Sequence, residues 1–268
     1  MGLVCAGVGY IVLDIEQRKI IFQPDARIWQ RGSTTHGIEQ RWISYHSQHS
    51  NHAVRLHGLW LPHTNPQAPV MLYLHGRRWN ITAATQRMRN MHRLGFSVLA
   101  IDYRGFGKTT PHTLPSEASV QEDAMAAWQW LRTQHPHQQR VIFGHSLGGA
   151  IAVQLAAAVP DEQALLLEST FSSIQKMAAH YRWGWLLVEP LITQKFDSQS
   201  LMAHIGSPVL IVHGEADTTI PSEHSTALFA AAQQPKKLIL VHGATHHSAN
   251  AKALHQYRAA LPWLLGKH

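Results

Sequence analysis

The chain has 268 residues, of which 45% are hydrophobic and 15% are charged. This composition supports a buried core and excludes a disordered chain, a collagen-like chain and a charged coiled coil. The formal net charge is +7 with all 21 histidines neutral, and a single cysteine, Cys5, excludes an internal disulfide framework. Positive charge attracts anionic partners in general, but no recognition motif for nucleic acid accompanies it, so we predict no nucleic-acid partner.

The N-terminal residues 2–13 form an apolar run. A membrane-spanning helix needs about 20 apolar residues, so this run is too short to span a bilayer by itself. Two interpretations of residues 1–23 stay open: an extension packed on the domain, or an anchor for association with a membrane surface. The first interpretation corresponds to a cytoplasmic protein and the second to a membrane-associated protein.

Two alternating segments, Arg41–Tyr45 and Val54–Leu61, predict an antiparallel hairpin near the N-terminus. Strand-like and helical segments alternate after it, and no repeat or linker divides the chain. The strand-like runs are Val70–Leu74, Val98–Ile101, Val141–Phe143, Ala164–Leu167, Val209–Val212 and Leu238–Val241, and the helical stretches are Ala83–Leu94, Val120–Gln134, Leu147–Val159, Glu223–Ala232 and Ala249–Leu265. Runs that are apolar on both faces are typical of buried parallel strands. We therefore predict a single α/β domain over residues 1–268, with a mostly parallel, doubly wound sheet.

The most specific motif follows the run Val141–Phe143 directly. Residues 144–148 read GHSLG, which has the pattern G-x-S-x-G, and a helix of small residues comes next. Between a strand and a helix, this pattern makes a sharp turn that exposes the serine hydroxyl. Ser146 is therefore the candidate nucleophile.

A serine hydroxyl is a weak nucleophile unless a base takes its proton and an acid orients that base. Asp217 and the adjacent pair His246 and His247 follow later strand-like runs. Ligands of parallel α/β sheets bind beyond the carboxyl ends of the strands, so these side chains are expected near Ser146. Either histidine of the pair is a candidate base at this point.

Other carboxylates compete with Asp217 for the role of the acid. Glu215 lies in the same loop, and Glu168 ends the preceding strand-like run. Asp102 also ends a strand, but it precedes the candidate nucleophile in the chain. We predict that Asp102 and Arg104 are structural and that they pair with each other within their loop.

These motifs resemble those of the α/β-hydrolase superfamily over nearly the whole chain. The matching blocks are His75-Gly76, Asp102–Gly107, Gly144–Gly149, Leu167–Ser172 and His213–Pro221. The block Asp102–Gly107 is similar to a small-cap branch of serine hydrolases, which includes monoacylglycerol-lipase-like esterases, membrane-tethered hydrolases and depalmitoylases. The resemblance implies Ser146 as nucleophile, Asp217 as acid and His246 as base, because the histidine of the family occupies that place rather than the place of His247.

The resemblance also implies an oxyanion hole made of two backbone N–H groups. One belongs to Leu147, directly after the nucleophile, and the other belongs to Arg77, directly after His75-Gly76. The chain departs from the family by carrying Arg77 and Arg78 where small or neutral residues are common. A solvated loop and an attraction for an anionic part of the substrate are both compatible with these two arginines.

Residues 169–207 interrupt the strand–helix alternation and predict a short helical cap. Its aromatic and leucine side chains either line an acyl pocket or pack the cap onto the domain. His46, His49 and His52 have no further ligand nearby, and no nucleotide-binding motif is present, so we predict neither a metal nor a cofactor.

The sequence predicts a serine hydrolase that cleaves carboxylic esters or thioesters of a small-molecule or lipid acyl substrate. An aminopeptidase or amidase on the same three residues is the nearest alternative, because the chemistry of acyl transfer is shared. A hydrolase-fold binding protein without catalysis is the alternative from another class.

Overall fold

The computed structural model describes residues 2–29, 36–180 and 191–266, with side chains from residue 7 onward. The strands are β1 (Glu39–His46), β2 (Ala53–Leu61), β3 (Val70–Leu74), β4 (Ser97–Ile101), β5 (Arg140–His145), β6 (Ala164–Glu168), β7 (Val209–Gly214) and β8 (Lys236–Val241). The helices are α1 (Gly2–Phe22), α2 (Thr85–Arg93), α3 (Glu117–Gln134), α4 (Leu147–Ala158), α5 (Ile174–Ala179), α6 (Ser198–Leu201), α7 (Glu223–Ala231), α8 (Ala249–Lys252) and α9 (Leu254–Leu264).

The strands form one sheet in the order β1-β2-β4-β3-β5-β6-β7-β8. The hairpin β1–β2 is antiparallel and β2 pairs antiparallel with β4, whereas the pairs from β4 through β8 are parallel. The predicted mostly parallel sheet with an N-terminal antiparallel hairpin is therefore confirmed. The strand β5, which leads to Ser146, lies inside the sheet between β3 and β6.

Helices cover both faces of the sheet because the central strands are apolar on both sides. Successive residues of a strand point to opposite faces. Leu72 of β3 accordingly packs in one buried cluster with Trp128 of α3. Its neighbour Tyr73 packs in a second buried cluster with Met88 of α2. The sheet is thus held between two hydrophobic layers, which fixes the strand ends as a rigid platform.

The helix α1 contacts the domain through its C-terminal half. Phe22 is buried and packs edge-on against Phe196, with 5.9 Å between ring centroids. Arg18 donates a hydrogen bond from Nε to the Pro115 carbonyl at 2.7 Å. From residue 7 onward, apolar side chains of the N-terminal half project into solvent: Val8, Tyr10, Ile11 and Val12.

Among the described residues, none of the helices combines the length and the apolar character that crossing a membrane requires. The predicted membrane-surface association of residues 1–23 stays a prediction.

Asp102 and Arg104 follow β4, and the predicted pairing between them is wrong. The carboxylate of Asp102 bonds His57 Nδ1 at 2.9 Å and accepts the Ile81 N–H. Arg104 instead forms an ion pair with Asp123 of α3 at 3.0 Å. The two side chains leave their loop in different directions and tie it to two different elements, which a reading of the loop alone does not reveal.

The buried His224 of α7 makes the fold sensitive to acid. Its Nδ1 bonds the Ser172 hydroxyl at 2.9 Å, and burial together with the nearby His180 and His213 lowers the pKa of His224 to about 4. In the unfolded chain a histidine has a pKa of about 6.5. The folded state therefore binds this proton less tightly than the unfolded state, so stability is full above pH 6.5 and is lost as the pH falls from there toward 4.

We expect His224 to account for a loss of about 2 to 3 kcal/mol in the free energy of unfolding between pH 7 and pH 4.5. Guanidinium unfolding at both pH values measures this loss. The variant His224→Gln should show a smaller loss, and His242→Gln, which changes a fully exposed ring, should keep the wild-type loss. An equal pH dependence in wild type and His224→Gln would contradict the assignment.

Candidate active site

Ser146 lies in the sharp turn between β5 and α4. Its backbone has φ 56° and ψ −125°, a strained conformation for a residue other than glycine. The turn is tight because a Cβ on Gly148 would come within 2.1 Å of the Leu74 carbonyl oxygen, and one on Gly144 within 2.3 Å of the Gly148 carbonyl oxygen. Glycine at both positions thus lets β5 enter α4 at once, and Ser146 stands at the carboxyl edge of the sheet.

The structure brings Ser146, His246 and Asp217 together in one hydrogen-bonded chain. His246 Nε2 lies 3.1 Å from Ser146 Oγ, and His246 Nδ1 lies 2.8 Å from Asp217 Oδ2. All three side chains are buried. The loops after β5, β7 and β8 supply one residue each, so the parallel sheet aligns groups that are far apart in sequence.

Asp217 is held as a carboxylate by the groups around it. Burial alone would raise its pKa, but hydrogen bonds with His213, His246 and the Ile220 N–H outweigh burial and hold the pKa well below its ordinary range. Oδ1 accepts the N–H groups of Thr219 and Ile220 at 2.8 and 2.9 Å. A stable negative charge beside Nδ1 of a histidine favours the protonated ring that a general base becomes.

The sequence did not identify His213 as part of this arrangement. Its ring is completely buried, Nε2 lies 3.3 Å from Asp217 Oδ2, and Nδ1 bonds Ser225 Oγ at 2.6 Å. His213 therefore fixes the position of Asp217 rather than touching Ser146. Its place at the end of β7, four residues before Asp217, is the sequence signal for this contact.

The competing bases and acids lie in other environments. His247 is exposed and its ring lies tilted against that of Trp79, with centroids 5.4 Å apart and 45° between the ring planes. Glu215 bonds His242 Nδ1 at 2.9 Å. Glu168 is buried and its carboxylate is bonded to Arg87, Asn250 and Tyr257. The described contacts place only His246 and Asp217 in line with Ser146.

The two backbone groups of the predicted oxyanion hole border the same region. Leu147 is the first residue of α4, directly after Ser146, where N–H groups of a helix lack partners within the helix. Arg77 lines the cavity that Ser146 borders. The role of the Leu147 and Arg77 N–H groups stays a prediction.

A cavity of about 170 Å³ opens beside Ser146. The described residues that line it include three arginines and four histidines, and none of them carries a carboxylate. The described lining residues are Tyr73, His75, Gly76, Arg77, Arg78, Trp79, Asn80, Ala83, Ala84, Arg87, His145, Ser146, Thr219, His246 and His247. The cavity is smaller than the roughly 300 Å³ at which drug-sized ligand pockets begin. It suits a short chain or a small polar group.

Three of these histidines place a ring nitrogen each within 4.8 Å of one another: His145, His246 and His247. A metal ion there would have to compete with the bonds of His246 to Asp217 and Ser146. The positive charge of Arg87 also reaches this cluster, since it contributes with burial to lowering the pKa values of His145 and His247. The environment thus favours anions over cations.

The structure describes two parts of the predicted cap, residues 169–180 and residues 191–207. Helices α5 and α6 lie within it, and Phe171 is buried against Phe196 with 6.5 Å between ring centroids. The remaining predicted cap residues, at positions 181–190, lie outside the described residues. The extent of the cap at 169–207 stays a prediction.

The fold and the strand-end position of the site define an α/β-hydrolase. Residues 64–198 match the model of the family described as "Serine aminopeptidase, S33". The chain therefore belongs to this family of hydrolases.

Several proteins resemble the chain in sequence or in fold. An uncharacterized protein of Mycobacterium tuberculosis is 33% identical over 92% of this chain and 86% of its own length. The lysophosphatidylserine lipase ABHD12 of Danio rerio is 33% identical over 63% of this chain, which spans about half (49%) of that lipase. An esterase of Pyrococcus furiosus has the same fold, with a TM-score of 0.72, 18% identity, and coverage of 91% of this chain and 98% of the esterase.

Proposed function

We propose that the protein is a serine hydrolase that cleaves carboxylic esters or thioesters through an acyl-enzyme. The observation that carries this proposal is the chain of contacts from Ser146 Oγ through His246 to Asp217, at 3.1 and 2.8 Å. These are the distances at which a base can take the proton of a nucleophile and an acid can orient the base.

In the proposed mechanism, Ser146 Oγ attacks the carbonyl carbon of the substrate while its proton moves to His246 Nε2. The oxygen of the tetrahedral intermediate is negative, and the N–H groups of Leu147 and Arg77 stabilise it. His246 then gives the proton to the departing alcohol or thiol as the bond to the acyl group breaks. Water attacks the acyl-serine in the second half, again losing its proton to His246, and the acid product and free Ser146 result.

The family description and the relatives leave two substrate classes in competition. An aminopeptidase must bind the positive α-ammonium group of its substrate, and carboxylates do this in proteins. The described lining of the cavity has three arginines and no carboxylate, so an ammonium group would meet repulsion there. The charges of the site therefore support esters or thioesters over aminoacyl amides.

Labelling with a fluorophosphonate probe tests the nucleophile. We expect one adduct per chain on the peptide that holds Ser146, and no adduct in Ser146→Ala. Ser169→Ala is a matched control, because this buried serine also has a positive φ and directly follows the neighbouring strand β6. Labelling of Ser146→Ala equal to that of the wild type would overturn the mechanism and favour a binding protein without catalysis.

Turnover of p-nitrophenyl esters against aminoacyl p-nitroanilides then tests the substrate class. We expect hydrolysis of the short-chain esters to exceed that of the anilides. Faster turnover of the anilides would move the chain to the aminopeptidase class while leaving Ser146 as nucleophile.

A further inference from the structure

Arg87 places a buried positive charge in the wall of the cavity beside Ser146. It lies in the first half of α2, its side chain is 14% exposed, and it is one of the residues that line the cavity. Buried arginines are costly unless they are paired. Arg87 is paired through Nε, which lies 2.9 Å from Glu168 Oε1.

Glu168 is in turn fixed by a network of hydrogen bonds. Its Oε2 accepts the Tyr257 hydroxyl at 2.6 Å and the Asn250 amide at 2.9 Å, and Asn250 accepts from Asn90 of α2 at 2.8 Å. The carboxylate is completely buried. This network joins β6, α8, α9 and α2, so it holds the guanidinium in one position.

The pairing of Arg87 leaves much of its donor capacity available to a ligand. A guanidinium has five N–H donors in a planar fork, which matches the two oxygens of a carboxylate or a phosphate. The ion pair with Glu168 is made by Nε, the Tyr73 hydroxyl is a second partner of the Arg87 side chain, and both Arg87 and Tyr73 line the cavity. Although burial alone would lower the pKa of Arg87, the charge of Glu168 raises it, so the guanidinium stays protonated.

Other groups of the cavity add to the preference for an anion. Arg78 is exposed at the mouth and makes a long hydrogen bond of 3.4 Å to Gln23. Burial lowers the pKa of His145 well below its ordinary value, so this ring is a neutral neighbour. Ala83 and Ala84 supply a small apolar wall. An incoming anion thus meets positive and neutral groups along the described lining.

We propose that Arg87 is a specificity-determining residue that binds a carboxylate or phosphate group of the substrate. The inference rests on the proposed function and narrows it to anionic esters or thioesters. The cavity of about 170 Å³ holds both Ser146 and Arg87 in its wall. The anionic group is therefore separated from the scissile carbonyl by a short chain, on either the acyl or the leaving-group side.

Matched pairs of esters test this proposal. On the acyl side, mono-p-nitrophenyl glutarate carries a terminal carboxylate where p-nitrophenyl valerate ends in a methyl group. On the leaving-group side, 4-(butyryloxy)phenyl phosphate and 4-(butyryloxy)benzoate are compared with phenyl butyrate. The readout is the ratio of kcat/KM for the anionic ester to kcat/KM for its neutral partner. Comparing the two arms shows whether the anionic group binds on the acyl side or on the leaving-group side. Within the second arm, the two anionic esters distinguish a phosphate from a carboxylate.

The variant Arg87→Met/Glu168→Gln removes both buried charges together, so neither is left unpaired. We expect the anionic-to-neutral ratio in at least one arm to fall by about 10-fold or more, the range for a charge-assisted hydrogen bond. Arg93→Met removes an exposed cation of the same helix that does not line the cavity, and it should leave the ratio unchanged. An unchanged ratio in the double variant would overturn the proposal.

A binding measurement separates failure of this inference from failure of the proposed function. Glutarate titrated into the wild-type protein in a calorimeter should release binding heat that the double variant lacks, whether or not any ester is cleaved. Glutarate binding without ester turnover and without fluorophosphonate labelling would contradict the proposed hydrolase function and support the anion site. Ester turnover with the same anionic-to-neutral ratio in all variants, together with no glutarate binding, would contradict the anion site and support the hydrolase function.

Discussion

Replacing His246 by glutamine should lower kcat/KM for a short p-nitrophenyl ester by about 10⁴- to 10⁶-fold, the range seen when a member of a serine–histidine pair is removed. The reason is that glutamine can fill the space of the ring but cannot take the proton from Ser146 Oγ, which lies 3.1 Å from His246 Nε2. Steady-state kinetics on purified protein measures this loss, and circular dichroism checks that the variant is folded.

The adjacent His247 provides the matched control. Its ring is exposed and contacts Trp79 at a tilt, so His247→Gln should lower kcat/KM by less than about 10-fold. A large loss in His247→Gln with an active His246→Gln would transfer the base to the second histidine of the pair.

Asp217→Asn should lower kcat/KM by about 10⁴-fold while leaving the fold intact. The amide keeps the shape of the carboxylate, and its oxygen can still accept the N–H groups of Thr219 and Ile220. It no longer carries the charge that stabilises protonated His246. Its NH₂ group would also face Nδ1 and favour the wrong tautomer of the ring.

The other two acidic candidates should respond differently. Glu215→Gln changes a residue paired with His242, and we expect near wild-type kcat/KM. Glu168→Gln changes a carboxylate that accepts from Arg87, Asn250 and Tyr257 and has no described bond to His246, so hydrolysis of neutral esters by the folded variant should fall by less than about 10-fold. A loss of about 10⁴-fold in kcat/KM for Glu168→Gln, together with an active Asp217→Asn variant, would show that the acid is Glu168 of β6 rather than Asp217.

The positions of the strands along the chain and of the sharp turn at Ser146 could be predicted from the sequence because both depend on local patterns. Buried parallel strands need apolar residues on both faces, and the runs at β3 through β7 show this directly. The turn at Ser146 needs glycine at Gly144 and Gly148, because a side chain at either would collide with the backbone. Such requirements restrict the residue types at a few consecutive positions, so they can be recognised in the sequence.

Contacts between distant elements could not be predicted in the same way. Arg87 and Glu168 are 81 positions apart, and an arginine in an amphipathic helix is usually on the solvent side. The partners of Asp102 and Arg104 were predicted wrongly for a related reason: charged neighbours in a loop suggest each other, whereas His57 and Asp123 approach from other parts of the chain. The charge of the cavity wall is therefore a property of the fold rather than of any motif.

The site is also divided between a fixed part and a replaceable part. The strands β6 and β7 are direct neighbours in the sheet, paired from Leu165 with Val209 to Glu168 with Val212, although the chain makes a long excursion between them. That excursion leaves the carboxyl edge of the sheet after Glu168 and returns to the amino edge at Val209, as a connection between parallel strands must, so a change in its length need not alter the pairing of the two strands. A lineage could exchange this segment to accept new substrates while keeping the three candidate catalytic residues unaltered, and laboratory recombination can use the same two junctions.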